Sequence, residues 1–315
     1  MRKQTKALNT RLLTLSLIFS ILLVSACSHE NQSTTIIMAN INGYTFDNDR
    51  YLQKFQTLVF DNGRVLETGD KSLEAKYPDA KFIDGGGRTL LPGITDAHGH
   101  VSSLGYTLLQ IDLRGATSAR QVSTSIASYA KTKPFLSWVQ GRGWNQVLWP
   151  GQKFPTAQIL DELLSDRPIW LERIDGHAGW ANSRALTLAG INANTIAPPG
   201  GEIIRDSSGN PTGILIDNAM ALVSQVIPPP TDEEMSAALA AASDHLISLG
   251  ITSVHDAGVS AREHDYYRQL ADRGDLDVRL YGMISSTDPE LVRILSAGPS
   301  SDPLDLYSAR SVKVY

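Results

Sequence analysis

The stretch Gly85-Gly86-Gly87-Arg88-Thr89-Leu90-Leu91-Pro92-Gly93-Ile94-Thr95-Asp96-Ala97-His98-Gly99-His100 decides how this chain is read. It is entered from Lys81-Phe82-Ile83-Asp84, a predicted strand that the three glycines release into a turn. His98 and His100 then stand two apart at the end of a second strand. Side chains at that spacing share one face, so both imidazoles are expected to point to one centre. Neutral imidazole binds zinc and its neighbours, which makes the pair a candidate metal site.

Downstream, Thr231 opens a helix with Glu234 three residues on, a capping box. Met235, Leu239, Leu246 and Leu249 repeat at helical spacing, and Gly250 supplies the stop. Ile251 to Gly258 reads as a strand ending in a polar loop, and a helix from about Arg262 to Asp272 closes at Gly274. Strands follow over Asp277 to Ile284 and from Ser311 to the last residue. Strand and helix in alternation predict a parallel α/β fold.

Upstream, residues 35 to 90 read as a small β-unit. Ile36-Ile37-Met38 leads to a turn signal at Asn42-Gly43, and Asp61-Asn62-Gly63 breaks a hairpin. Between Leu104 and Pro230 the pattern is less regular and holds every tryptophan, 138, 144, 149, 170 and 180. Helices are expected near Thr156 and over Asn182 to Ala189, with a hairpin turning at Ser208-Gly209-Asn210-Pro211.

The 315 residues allow roughly two domains at ~150 residues each. With 42% apolar and 19% charged residues, the chain is neither disordered nor a polytopic membrane protein. A net charge of −5 leaves no basic excess for a phosphate backbone, so no nucleic-acid partner is expected. The 1 cysteine excludes an intrachain disulfide. Arg2, Lys3, Lys6 and Arg11 precede an apolar run from Leu12 to Val24, which suits a secretory leader better than a membrane span. Val24-Ser25-Ala26-Cys27 resembles the lipobox of bacterial lipoproteins. Residues 1–26 are therefore expected to be a lipoprotein signal peptide and 27–34 a polar tether. Diacylated Cys27 would hold the mature protein at the cell envelope, outside the cytoplasm.

Gly85 to His100 also resembles the entry to the amidohydrolase superfamily, where a Gly-Gly-x-x-x-x-Pro-Gly run leads into Asp-x-His-x-His. Gly141-Arg142-Gly143-Trp144-Asn145, Leu171 to Ala178, Asn182-Ser183-x-Ala185-Leu186, Pro211-Thr212-Gly213 and Thr252 to Gly258 narrow the likeness to the amidohydrolase 3 branch. That branch includes deformylases of N-substituted formamides. The likeness runs from about residue 35 to the end. It implies a TIM-type (β/α)₈ barrel beside a β-sandwich, and hydrolysis of non-peptide C–N bonds by metal-activated water. Residues 35–90 would begin the sandwich, 91–104 and 231–315 the first half of the barrel, and 105–230 an insertion lining the substrate cavity.

On that barrel His98 and His100 end the first strand and would hold the more buried metal. Lys313 falls where the superfamily has its fourth-strand lysine, carboxylated in many members and bridging two ions. The group implied is a divalent metal, zinc, as one or two ions. The likeness assigns Asp175, His177 and His255 to contacts with a small-molecule substrate or to support of the ligands. The alternatives remain a buried histidine bonded to a carbonyl and, for Lys313, a solvated strand end. Trp144, flanked by glycine, is the tryptophan expected to line a pocket. Asn145 stands where the family has aspartate, which removes any role there that needs charge.

The superfamily's histidines of strands 5 and 6 and its strand-8 aspartate, the general base, find no counterpart here. The count of barrel strands stops at four, so the chain reads as an incomplete barrel from a longer enzyme, inactive alone. The rival is a non-catalytic binding lipoprotein or an inactive remnant. For the leader, Cys27→Ala should move the mature protein from the membrane fraction to the soluble or unprocessed pool. Unchanged fractionation would rule out lipid at this residue.

Overall fold

A computed structural model of the protein describes residues 34–302 and 305–315. The leader, Cys27 and the tether up to Ser33 lie outside the described residues. Among those described, no helix is long and apolar enough to cross a membrane.

Strand Ile36–Ala39 (β1) reverses at Asn40, whose φ of 54° is one that asparagine tolerates. Its amide bonds Asp84 at 2.8 Å. The expected turn at Asn42-Gly43 is thus displaced: both residues lie inside Asn42–Phe46 (β2), where they pair with Thr89–Leu90. Leu52–Phe55 (β3), Thr57–Asp61 (β4), Arg64–Gly69 (β5), helix Leu73–Lys76 (α1), Lys81–Asp84 (β6) and Thr89–Leu90 (β7) follow. β4 and β5 form the expected hairpin, with positive φ at Asn62 and Gly63 as a tight two-residue turn requires. The sheets run β5-β4-β1-β6 and β3-β2-β7, and Ile37, Val59 and Leu73 fill the small core.

Gly93 to Tyr315 form a second compact unit. It opens with Ile94–Gly99 (β8) and helix Val101–Leu108 (α2). The chain then builds a six-stranded sheet from Ile111–Asp112 (β9), Val139–Trp144 (β10), Ile169–Arg173 (β11), Ala178–Ala181 (β12), Gly201–Arg205 (β13) and Pro211–Asp217 (β14), ordered β13-β14-β12-β11-β10-β9. β9, β10 and β11 are parallel and the rest antiparallel. Helices Ala119–Thr132 (α3) and Ala157–Asp161 (α4) contribute Val122, Ile126 and Leu160 to one core beside this sheet. Ser183–Leu188 (α5) and Ala221–Ser224 (α6) contribute Ala185 and Val223 to a second.

The chain then returns to β8. Asp232–Ser248 (α7) starts in the predicted capping box of Thr231 and Glu234. Ile251–Val259 (β15), Ala261–Arg273 (α8), Arg279–Ser285 (β16), Leu291–Ala297 (α9), Ser300–Ser301 (β17) and Tyr307–Lys313 (β18) complete the order. β8, β15, β16 and β18 are mutually parallel, and β8 is the edge strand of the sheet β17-β18-β16-β15-β8. α7 and α8 pack Leu239, Leu246, Tyr267 and Leu270 against Val254, Leu280 and Ala309. The last strand begins at Tyr307, earlier than expected from Ser311. Tyr307 is buried there, its hydroxyl 2.8 Å from Nδ1 of His264.

One polar residue ties the six-stranded sheet to its helices. Asn182 is fully buried, and its carbonyl accepts the N–H groups of Ile169 and Ala185, each at 3.0 Å. Its amide donates to the carbonyls of Arg167 at 2.9 Å and Leu164 at 3.3 Å. Asn182→Ala strands these groups without water, so urea unfolding should show a loss of roughly 3 kcal/mol.

Candidate functional site

Two glycines let β8 lie against β15. A Cβ on Gly93 would sit 1.9 Å from the Thr252 hydroxyl, and one on Gly99 2.8 Å from a Val254 methyl. Asp96 accepts the His98 N–H at 3.0 Å and steadies the strand end. The rings of His98 and His100 come to 5.6 Å between centroids, edge to face, and both residues are exposed. The two imidazoles paired in the sequence thus stand side by side at the end of the strand.

The residue after them is held from the neighbouring strand. Val101 N–H, the first of α2, donates to Asp256 Oδ2 at 3.3 Å. Asp256 is only 5% exposed, beside Tyr267, whose hydroxyl lies 2.8 Å from that of Ser102. Burial pushes the Asp256 carboxyl up to about 7, and the charge of Glu263 adds to this against the bonds from Val101 and Tyr267. The sequence shows this role only in retrospect: β15's period of two puts Asp256 on the face of buried Val254.

The other expected site residues divide into separate places. Lys313 ends β18, level with Ser285 on β16, and its amine lies 5.9 Å from the centre of the Tyr315 ring. Three inter-strand steps, ~14 Å along the sheet, separate β18 from β8, so the strand order does not bring Lys313 beside the histidines. His255 is half-buried on β15, its ring 5.1 Å from that of Tyr281. Trp144 lines no pocket. It is fully buried, its N–H bonded to the Leu171 carbonyl at 2.9 Å, and it packs on Trp149, Trp180 and Phe154. The glycine-flanked motif therefore marks a core position, because an aromatic of that volume fills the layer beneath the sheet. Asn145 caps the short 3₁₀ turn Gln146–Leu148, accepting the Val147 N–H at 3.2 Å, a task that needs no charge.

Asp175 and His177 lie in the turn from β11 to β12, at the edge where β9, β10 and β11 end. Arg173 grips Asp175 through Nε at 2.8 Å and through a second nitrogen. That pairing holds the Asp175 carboxyl at about 2, with the His177 N–H adding to it against partial burial. Nδ1 of His177 meets Oδ1 of Asp217 at 2.8 Å. Asp217, at the end of β14, was not singled out in the sequence. Its φ of 47° with ψ of −122° is invisible there. Among the described residues, no cluster of three or more His, Cys, Asp or Glu is placed to hold a metal ion.

A model of the amidohydrolase family matches residues 81–303. Protein LONG AFTER FAR-RED 3 of Arabidopsis thaliana is 36% identical over 219 residues, 69% of this chain and 37% of that protein. N-substituted formamide deformylase of Arthrobacter pascens is 32% identical over 234 residues, 71% of this chain and 43% of its own. The chain thus spans less than half the length of these curated relatives. An uncharacterized metal-dependent hydrolase from Pyrococcus furiosus superposes with a TM-score of 0.69 at 26% identity, over 88% of this chain and 55% of that one.

Asp256 gives a pH dependence of known sign. Its carboxyl titrates near 4 when unfolded and near 7 when folded, so the folded state keeps a proton that the unfolded state has released. Stability therefore falls as pH rises from about 4 to 7, by roughly 4 kcal/mol at most, and then levels. In chelator, Asp256→Asn should match the parent in urea midpoint at about pH 4 and exceed it at pH 8. Parallel pH profiles for the two proteins would show that Asp256 is charged throughout.

Proposed function

The chain belongs to the amidohydrolase family, and we propose that it serves a metal-dependent hydrolase of non-peptide C–N bonds of the amide, N-acyl or formamide kind. The observation that carries this reading is the His98–His100 pair, with rings 5.6 Å apart at the C-terminal end of a parallel strand. Barrels of this type build their active sites at that end. We read β8, β15, β16 and β18 as the first four strands of the barrel, and the six-stranded sheet as the insertion between the first and second.

The pair fits a divalent ion. With zinc–nitrogen bonds of ~2 Å, two imidazoles sharing one ion have centroids no more than about 6 Å apart. His98 and His100 would hold the ion, with Lys313 as the third protein ligand in its carboxylated form. Both histidines present nitrogen donors suited to zinc, the metal this reading favours. A bound divalent ion supplies Lewis acidity, which polarises the scissile carbonyl and makes water nucleophilic near neutral pH. The chain's own part is positional. Asp96 fixes the backbone of His98, and Asp256 fixes the N–H that follows His100. His177 and Asp175 are assigned to substrate contact at the sheet edge, and His255 to support beside Tyr281. The leader-like residues 1–26 and Cys27 support placement of the enzyme at the bacterial cell envelope, lipid-anchored and outside the cytoplasm.

Elemental analysis of the whole enzyme that this chain serves tests the reading. Replacing His98 and His100 together by Ala should weaken metal binding at least ~100-fold, since two directly coordinating nitrogens are lost. Hydrolysis of N-acyl amines or formamides should fall to background in parallel. A double variant with full metal content and full activity sinks the assignment.

A further inference from the structure

We infer that Asp217 is a positioning residue that holds His177 as its Nδ1–H tautomer, leaving the Nε2 lone pair to accept a hydrogen bond from an N–H or O–H of the ligand. The ligand's identity as an amide-type substrate rests on the hydrolase reading; the state of the pair does not.

Everything about His177 except Nε2 is already engaged. Its backbone N–H donates to Asp175 at 3.1 Å, and its carbonyl accepts the Asp217 N–H at 3.1 Å. Nδ1 lies 2.8 Å from Asp217 Oδ1. A carboxylate only accepts, so Nδ1 must carry the proton, and the neutral ring then offers Nε2 as an acceptor. The His177 side chain is 71% exposed, so a ligand can reach its free edge. Arg173 and Asp175 brace the turn from the other side, and their pairing keeps Asp175 ionised beneath the His177 N–H.

The backbone of Asp217 supplies an independent observation. At φ 47° and ψ −122° it lies in a region of positive φ that L side chains rarely adopt and glycine favours. An aspartate held there is strained, and such strain persists at positions kept for a task rather than for the fold. Its carboxylate makes no capping bond to the 3₁₀ turn Asn218–Met220 that follows. The geometry thus points to the side-chain bond to His177 as the use of this residue. The sheet end also carries the bidentate Asp112–Arg114 pair.

Long-range ¹H–¹⁵N spectra of the ¹⁵N-labelled protein, recorded at about pH 8.5, test this directly. The His177 signals are identified by their loss in His177→Gln. The parent should show an unprotonated Nε2. Asp217→Asn keeps a carbonyl acceptor and should retain that pattern, whereas Asp217→Gly should revert to the Nε2–H form or a mixture. The glycine variant should also melt at the parent's temperature or about 2–4 °C above it, because it sheds strain. With an N-substituted formamide as probe, it should raise KM about tenfold and change kcat less, as expected for one lost ligand bond.

A parent Nε2–H tautomer, a glycine variant that keeps the parent tautomer, or one that melts several degrees lower overturns the inference. So does an unchanged KM in an active enzyme. If the tautomer switches as expected but the whole enzyme hydrolyses nothing, the positioning role stands and the hydrolase reading fails.

Discussion

A buried carboxylate takes the first backbone N–H of α2, and this bond ties the His98-Gly99-His100 exit to the adjacent strand. The geometry of the histidine pair depends on it. A parallel strand that hands over directly to a helix must satisfy the helix's first N–H groups without water if that end is covered. Asp256 does this for Val101 from β15. Because the site is desolvated, the carboxyl is drawn towards its neutral form, which accepts the bond without an uncompensated charge in the core. The close approach of β8 and β15 at Gly93 and Gly99 is the steric half of the same constraint. A side chain at either glycine would push the strands apart and lengthen the bond.

Much of this was legible in the sequence, for local reasons. The capping box at Thr231 and Glu234 and the hairpin at Asn62-Gly63 are signals that neighbouring residues satisfy among themselves. The alternation of strand and helix from Thr231 onward follows from the same kind of signal. His98 and His100 were readable because a strand's period of two brings them near each other whatever the rest of the chain does.

What was not legible needed partners distant in sequence. Asn42-Gly43 has the composition of a turn, yet pairing with β7 draws both residues into a strand and the reversal moves to Asn40. Trp144 looked like a pocket wall because its neighbours are glycines. Those glycines serve close packing: a Cβ on Gly143 would lie 2.7 Å from the Arg114 side chain, and one on Gly141 2.6 Å from Ile111. The Asp217–His177 pair joins residues 40 apart through a backbone angle that no residue type announces.

Three aspartates show how surroundings, rather than residue type, assign work in this fold. Asp175 is gripped by Arg173 and held at about 2, so it stays anionic and braces a turn. Asp256, enclosed beside Tyr267, is pushed to about 7 and serves as an acceptor near neutrality. Asp217 is neither enclosed nor paired with a cation of fixed charge, and its value is directional: a strained backbone aims one oxygen at Nδ1 of His177. Burial, an ion pair and the direction of a strained backbone thus give one residue type three different tasks within one compact unit.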